Sequence, residues 1–309
     1  TLVLTGTSSV TLGTNADTAT LDAVTTGAGA TSVTTENEST AVGINAAALA
    51  DGVALTLADT NTAAFTVTNL VGDIVTDAVA GTLNVTTATV VNSSIQTAAG
   101  ATTIGGDATA VAVDAADLAD DINLTLNGAT NYTVTALEGN VVAGGSTGTL
   151  NITFDNVTDD EASIGAGTGN VTVAGGNAGD TITVTGLATG GQVFTASTAL
   201  AAFDITGGAT AQNITGSSTA SNTITGGGGA DTLTGGGGAD TFNFASDTDL
   251  AAATVAGAGG ADNITMTAAA TLTDTDFTDV SAVETLVLTG TSSVTLGTNA
   301  DTATLDAVT

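Results

Sequence analysis

The stretch Gly226–Asn243 reads GGGGADTLT-GGGGADTFN, one nine-residue pattern written twice in succession. Its spacing decides the fold. Glycine visits positive φ at little cost and leaves the backbone carbonyls of a turn uncovered. The aspartate that closes each turn, Asp231 or Asp240, adds a hard anionic oxygen. Two residues further on, Leu233 and Phe242 point inward along a short strand. Carbonyls and a carboxylate gathered in a flexible turn suit calcium, which takes six to eight oxygen ligands.

Looser copies surround this pair. Ile205, Ile214, Ile224, Leu233 and Phe242 step by 9, 10, 9 and 9 residues. Gly207–Thr215 reads GGATAQNIT and Ser217–Thr225 reads SSTASNTIT, with Gln212 and Asn222 where the aspartate belongs. Gly257–Thr265, GAGGADNIT, keeps Asp262, and Gly175–Thr183, GGNAGDTIT, keeps Asp180. All are variants of G-G-x-G-x-D-x-U-x, where U is a large apolar residue.

On these residues the chain resembles the RTX family, the calcium-dependent β-roll of secreted bacterial proteins. The strict match covers Gly226–Asn243 and the RTX-like segment runs over 205–265. The resemblance implies two nonapeptides per coil, with calcium held between turns i and i+2 on one side. Asp240 is then expected to share a site with the turn of Asn222. Asp231 is expected to share one with the turn of Gln212, or with Asp249. The implied metal residues are Gly226, Gly228, Asp231, Gly235, Gly237, Asp240, Asn222 and Asp249, with Asp262 and Asp180 in the looser copies. Roughly two to four calcium ions per period follow. The Thr-, Ala-, Gly- and Val-rich composition also looks like RTX-type surface-layer proteins of Gram-negative bacteria. Phe277–Gly290, FTDVSAVETLVLTG, resembles a segment that recurs in them.

A second feature sets the organisation. Thr1–Thr25 and Thr285–Thr309 are the same sequence, TLVLTGTSSVTLGTNADTATLDAVT, 284 positions apart. Independent drift would have blurred two such copies, so the identity points to a tandem array. Residues 1–284 read as one full repeat and 285–309 as the start of the next. No proline, charge block or serine-rich hinge intervenes, so 285–309 is expected to fold as 1–25 does, one period on.

Composition excludes whole classes of function. The chain has 0 Lys+Arg, 0 His, 0 Cys and 0 Pro against 31 Asp+Glu, a net charge of -31. With Lys+Arg at about a tenth of positions, their absence by chance has odds on the order of 10^-14. No ordinary salt bridge can form, trypsin-like proteases have no cleavage site, and carboxylate repulsion is left to cations, salt or spacing. Nucleic acid is excluded as a partner because nothing can neutralise a phosphate. Anionic membrane surfaces are excluded likewise, and no run of 18 apolar residues offers membrane insertion. Catalysis is not expected: without His, Lys or Cys, nothing activates the Ser and Thr hydroxyls, and paired carboxylates lack the aromatics and arginine that grip and position a sugar.

Apolar residues still make up 42%, mostly small or β-branched, so the chain is not disordered. Runs of three to seven residues alternate in strand fashion, from Leu2–Leu4 and Val10–Leu12 to Ile264–Met266 and Leu286–Leu288, separated by Gly, Asn, Asp, Ser and Thr. Asp114–Asp120 reads as one short helical turn. Of three all-β architectures, a sandwich needs corner aromatics and proline that this chain lacks. An open barrel is the second candidate. A parallel β-solenoid, with a narrow core of stacked Ala, Val, Ile, Leu and Thr, fits best. At roughly 20 residues per coil and about 4.8 Å per coil, a period makes about 14 coils and ~70 Å of fibre.

The remaining motifs read blandly. Asp159, Asp160 and Glu161 beside Asp155, Asp120–Asp121 and Glu36–Glu38 read as solvated loops. Asn-x-Thr sequons such as those at Asn84 and Asn123 arise by chance in so threonine-rich a chain. Thr-x-Thr pairs read as an outer face of good strand formers. The expectation is a structural repeat of a long extracellular, calcium-stabilised protein, exported by type I secretion and self-associating through neighbouring repeats or parallel chains. An adhesin's extender region and a surface-layer lattice are the alternatives.

Overall fold

The computed structural model describes residues 2–12, 23–36, 41–59, 62–89, 91–155 and 162–309. The acidic run 159–161 and residues 37–38 lie outside them. The chain forms two compact units, Thr1–Asp155 and Asn156–Thr309. Each is an all-β solenoid in which every described strand pairing is parallel.

In the first unit the chain alternates between two sheets. One stacks Leu2–Val3, Ala23–Thr25, Val42–Asn45, Phe65–Leu70, Leu83–Thr87, Thr102–Gly106, Asn123–Gly128 and Asn140–Ser146 in that order. The other stacks the strands between them, from Ser8–Leu12 and Thr31–Thr35 to Asn131–Leu137 and Leu150–Phe154. Register places apolar residue on apolar residue: Val24 on Ile44, Ile44 on Val67, Val67 on Val85 and Val85 on Ile104. Along this sheet a coil takes between 17 residues, Leu124 to Val141, and 23, Ile44 to Val67.

The second unit repeats the plan. Its first sheet carries the column Ile164, Val184, Ile205, Ile224, Phe242, Ile264 and Leu286. The coil is 18 residues from Ile224 to Phe242, two nonapeptides, and 22 from Phe242 to Ile264 and from Ile264 to Leu286. Part of the extra length is a short helix, Asp247–Ala252, capped by the Ser246 hydroxyl, which accepts from the Asp249 N–H.

Alternating burial explains the strands. Leu83–Thr87 buries Leu83, Val85 and Thr87 and exposes Asn84 and Thr86. Ile205, Ile214, Ile224, Leu233 and Phe242, the inward positions of the nonapeptides, are all fully buried. Each such side chain contributes about 1.5–3 kcal/mol when withdrawn from water. A single coil cannot withdraw them on its own, so stacking is obligatory.

Two local expectations need correction. Asp114–Asp120 is not helical: Asp114 ends the strand Ala110–Asp114, and the segment after it closes as a turn with the Leu118 N–H donating to the Ala115 carbonyl at 3.0 Å. The helix-prone alanines there are pinned by the strand before them. Several strands also carry no apolar run, among them Thr31–Thr35, Asn92–Gln96 and Thr102–Gly106. A strand in a one-coil-thick core needs only one or two inward apolar side chains, with Thr or Ser filling the remaining inward place.

The two identical segments share a pairing. Leu2 lies opposite Val24, and Leu286 lies opposite Val308, 284 positions further on in both partners. Beyond that strand they differ. Ser8–Leu12 pairs with Thr31–Thr35 in the second sheet of its unit, whereas Ser293–Val294 pairs with Thr271–Leu272 in a separate two-stranded sheet. Residues 13–22, the counterpart of 297–306 with its helix Thr298–Thr302, lie outside the described residues.

Candidate metal centre

The nonapeptide turns of the second unit fall into two columns, because successive turns lead alternately into the two sheets. One column precedes strands of the first sheet and holds Asn222, Asp240, Asp262 and Glu284 in register. The other precedes strands of the second sheet and holds Gln192, Gln212, Asp231 and Ala253.

Main-chain hydrogen bonds stitch the first column together. The Asn222 N–H donates to Asp240 Oδ1 at 2.7 Å. The Asp240 N–H donates to Asp262 Oδ1 at 2.7 Å, and the Asp262 N–H to Glu284 Oε2 at 2.7 Å. Each carboxylate thus uses one oxygen to anchor the coil before it. The second oxygen, Oδ2 of Asp240 and of Asp262, is buried and has no hydrogen-bond partner. A buried, unpartnered anionic oxygen is costly unless a cation faces it.

Glycine makes room for that oxygen. A Cβ on Gly226 would strike Asp231 Oδ2, one on Gly235 would strike Asp240 Oδ2, and one on Gly257 would strike Asp262 Oδ2. Each glycine lies five residues before its aspartate, so the first glycine of the motif is the cradle for the last acid. Gly236, at φ 147°, stacks so closely on the Ser217 carbonyl that no side chain fits. Gly228 donates its N–H to the Gly208 carbonyl at 2.9 Å, and a Cβ on Gly237 would strike the Ser218 carbonyl. Each glycine turn therefore rests on the turn one coil earlier on the same side.

Electrostatics agree with the geometry. Burial pushes the Asp240 carboxyl up to about 6, against the hydrogen bonds from Asn222, and the charge of Asp262 adds to the rise. Burial also raises Asp231, with Asp249 contributing, and Asp262, with Glu284 contributing. These groups resist ionisation when nothing positive is near.

The amide-bearing turns show the neutral alternative. Asn222 Nδ2 stands among four oxygens: the carbonyls of Ser217, Ala220 and Gly235 at 3.2, 3.0 and 3.4 Å, and Asp240 Oδ1 at 2.8 Å. Gln192 Nε2 similarly donates to the carbonyls of Gly167 and Gly169 at 2.9 and 2.8 Å. The amide NH2 points at the turn oxygens that a cation would otherwise face.

The expected pairings are present. Asp240 meets Asn222, although through hydrogen bonds from the amide. Asp231 Oδ1 accepts the Gln212 N–H at 2.8 Å, and the charge of Asp249 bears on Asp231. Asp180 stands apart: its Oδ2 accepts the Asn177 N–H of its own turn at 2.9 Å. Register carries Asn222 back to Phe203, past the Asp180 position, so Asp180 joins neither column. Glu284 was missed by motif, because it sits in no glycine turn. The even step of 22 from Asp240 to Asp262 to Glu284 was the available signal. Among the described residues no three carboxylates converge on one point, so each turn offers one or two charged oxygens with backbone carbonyls.

Fold and turns together define a parallel β-solenoid with cation-binding corners. Residues 213–251 match the RTX calcium-binding nonapeptide repeat over four copies, and the cofactor such repeats take is Ca2+. No curated protein and no solved structure matches the chain. The donor set fits calcium: hard oxygens only, buried aspartates with a free oxygen, and a glycine cradle at each. Bound there, calcium supplies the positive charge that lets the carboxylates ionise inside the turn.

Proposed function

We propose that the chain is one period of a long extracellular structural protein, a calcium-stiffened fibre, sheath or surface layer. The observation that carries this reading is the repeated segment: Thr285–Thr309 copies Thr1–Thr25, and its first strand enters the same parallel pairing, Leu286 on Val308 as Leu2 on Val24. A solenoid end exposes unpaired backbone, and a following period covers it. Repeat number then sets length.

Chemistry supports a passive role. With no His, Lys, Cys or Arg, the chain holds no group that activates a hydroxyl or steadies an oxyanion, and we assign it no catalytic activity. Among the described residues no helix is long and apolar enough to cross a membrane. Export by type I secretion, usual for RTX repeats, fits the acid-lined turns: they stay ill-folded where calcium is scarce and set where it reaches the millimolar range of extracellular modules. Neighbouring periods and parallel chains are the partners, joined end to end by coil stacking and side by side by cations between acidic faces.

Electron microscopy of a chain of two consecutive periods in calcium buffer tests this. Rods of uniform width with no hinge at the period boundary support the fibre. Beads on a flexible linker overturn it. Isolated stalks ending in a distinct tip on native cells favour an adhesin extender instead, and a two-dimensional array favours a surface layer.

A further inference from the structure

The carboxylate column continues beyond residue 251, where the nonapeptide match ends. Asp262 is 1% exposed; its Oδ1 anchors the Asp240 N–H, and its Oδ2 has no hydrogen-bond partner. A Cβ on Gly257 would strike both Asp262 Oδ2 and the Ala282 carbonyl oxygen. An anionic oxygen and a carbonyl oxygen therefore converge on the space that Gly257 leaves open. Ala282 holds a φ of 51°, a left-handed conformation that a non-glycine residue adopts only when its surroundings impose it. Asn222 solves the same problem with an amide nitrogen among four oxygens, whereas the described hydrogen bonds bring no such donor to Asp262 Oδ2.

We propose that the Gly257–Asp262 turn is a further calcium site, outside the nonapeptide match, held by Asp262 Oδ2 and the Ala282 carbonyl with Glu284 one coil on. Its place gives it a purpose. Glu284 is the last residue before the second copy of the repeated segment. Its carbonyl accepts the N–H groups of Asp306 and Ala307 at 2.8 and 3.1 Å, and its Oε1 accepts the Thr304 hydroxyl at 3.5 Å. All three partners belong to the next period. The ion thus locks the coil that joins one period to the next, which rests on the reading of the chain as one period of a calcium-clamped array.

Calcium stoichiometry of the 309-residue chain, by equilibrium dialysis with radioactive calcium, tests the site. Asp262→Asn keeps the acceptor for the Asp240 N–H and places an amide where Asn222 already carries one, so the variant is expected to fold and to bind one ion fewer. Glu284→Gln is expected to weaken one ion without removing it. Asp240→Asn serves as the reference for the matched segment. If Asp240→Asn lowers the count while Asp262→Asn leaves it unchanged, the junction site is overturned and the RTX segment stands. If neither changes it, calcium binding in the whole column falls, and the array reading loses its clamp. Should circular dichroism show Asp262→Asn unfolded, Glu284→Gln decides: unchanged affinity at every site overturns the proposal.

Discussion

The two units solve one problem in two ways. Both must hold the corners of stacked coils together. In the first unit the clamps are neutral: the buried Thr76 hydroxyl donates to the Thr97 carbonyl at 2.8 Å, and the Thr87 and Thr130 hydroxyls donate to the carbonyls of Gly105 and Gly106. Its buried carboxylate Asp59 has donors on both oxygens, the Ala63 N–H on one and the Thr35 hydroxyl on the other. In the second unit Asp240 and Asp262 anchor one coil with one oxygen and leave the other without a donor. A shared coil geometry therefore yields one half that is complete as a polypeptide and one that needs an ion. Dependence on calcium is a property of corner residues, not of the solenoid.

Removing calcium should separate the halves most sharply. A site held at 100 times its dissociation constant contributes about 2.7 kcal/mol, and several sites add. Hydrogen exchange in chelator is expected to show lost protection over 203–286, with strands from Val42–Asn45 to Leu150–Phe154 still protected. Equal loss in both units would break the contrast between neutral and ionic corners.

Acidity should act on the second unit in opposite directions with and without the ion. The Asp240 carboxyl sits at about 6 in the fold against an ordinary 3.8. Ionisation is thus less favourable folded than unfolded. In chelator this group's contribution is fully present below about pH 4 and is lost as pH rises through about 6, at most about 3 kcal/mol. Asp231 and Asp262 are shifted the same way. With calcium the slope reverses, since binding must displace the proton and weakens as pH falls through about 6. Melting curves between pH 4 and 7.5, with and without calcium, check both signs.

Asn222→Asp would carry the ionic corner one coil further. The substitution sets an anionic oxygen against the carbonyls of Ser217, Ala220 and Gly235 and against Asp240 Oδ1, where Nδ2 now donates. Without calcium the variant should lose about 1–3 kcal/mol. With calcium it should recover that loss and bind one more ion. A variant equally destabilised in both conditions would show that the amide's oxygens do not outline a cation site.

Much of this was legible beforehand because the β-roll is written locally. The repeats of nine name the inward residue, the glycine cradle and the acid within one turn, so Leu233, Phe242, Asp231 and Asp240 could be placed by spacing alone. Strands such as Thr31–Thr35 and Asn92–Gln96 escaped, since a thin core marks them with a single large apolar residue. Asp180 misled because its motif is intact while its register is not: two residues of offset separate it from the column. Glu284 escaped for the opposite reason, being in register without the motif. Motif reports one turn, whereas a column depends on coil length, and coil length varied from 18 to 22 residues within the second unit.

The smallest effect tests the neutral half. Thr76→Val keeps the side-chain shape and removes the hydroxyl that bonds the Thr97 carbonyl. Thr76 is buried, so water does not replace the lost donor. The expected cost is about 1 kcal/mol, or roughly 2–4 °C in the melting temperature of a unit this size. The cost should be the same in calcium and in chelator, because no carboxylate takes part. A calcium-dependent cost at Thr76 would mean that cations also brace the threonine corners, and the division between the two halves would then be one of degree.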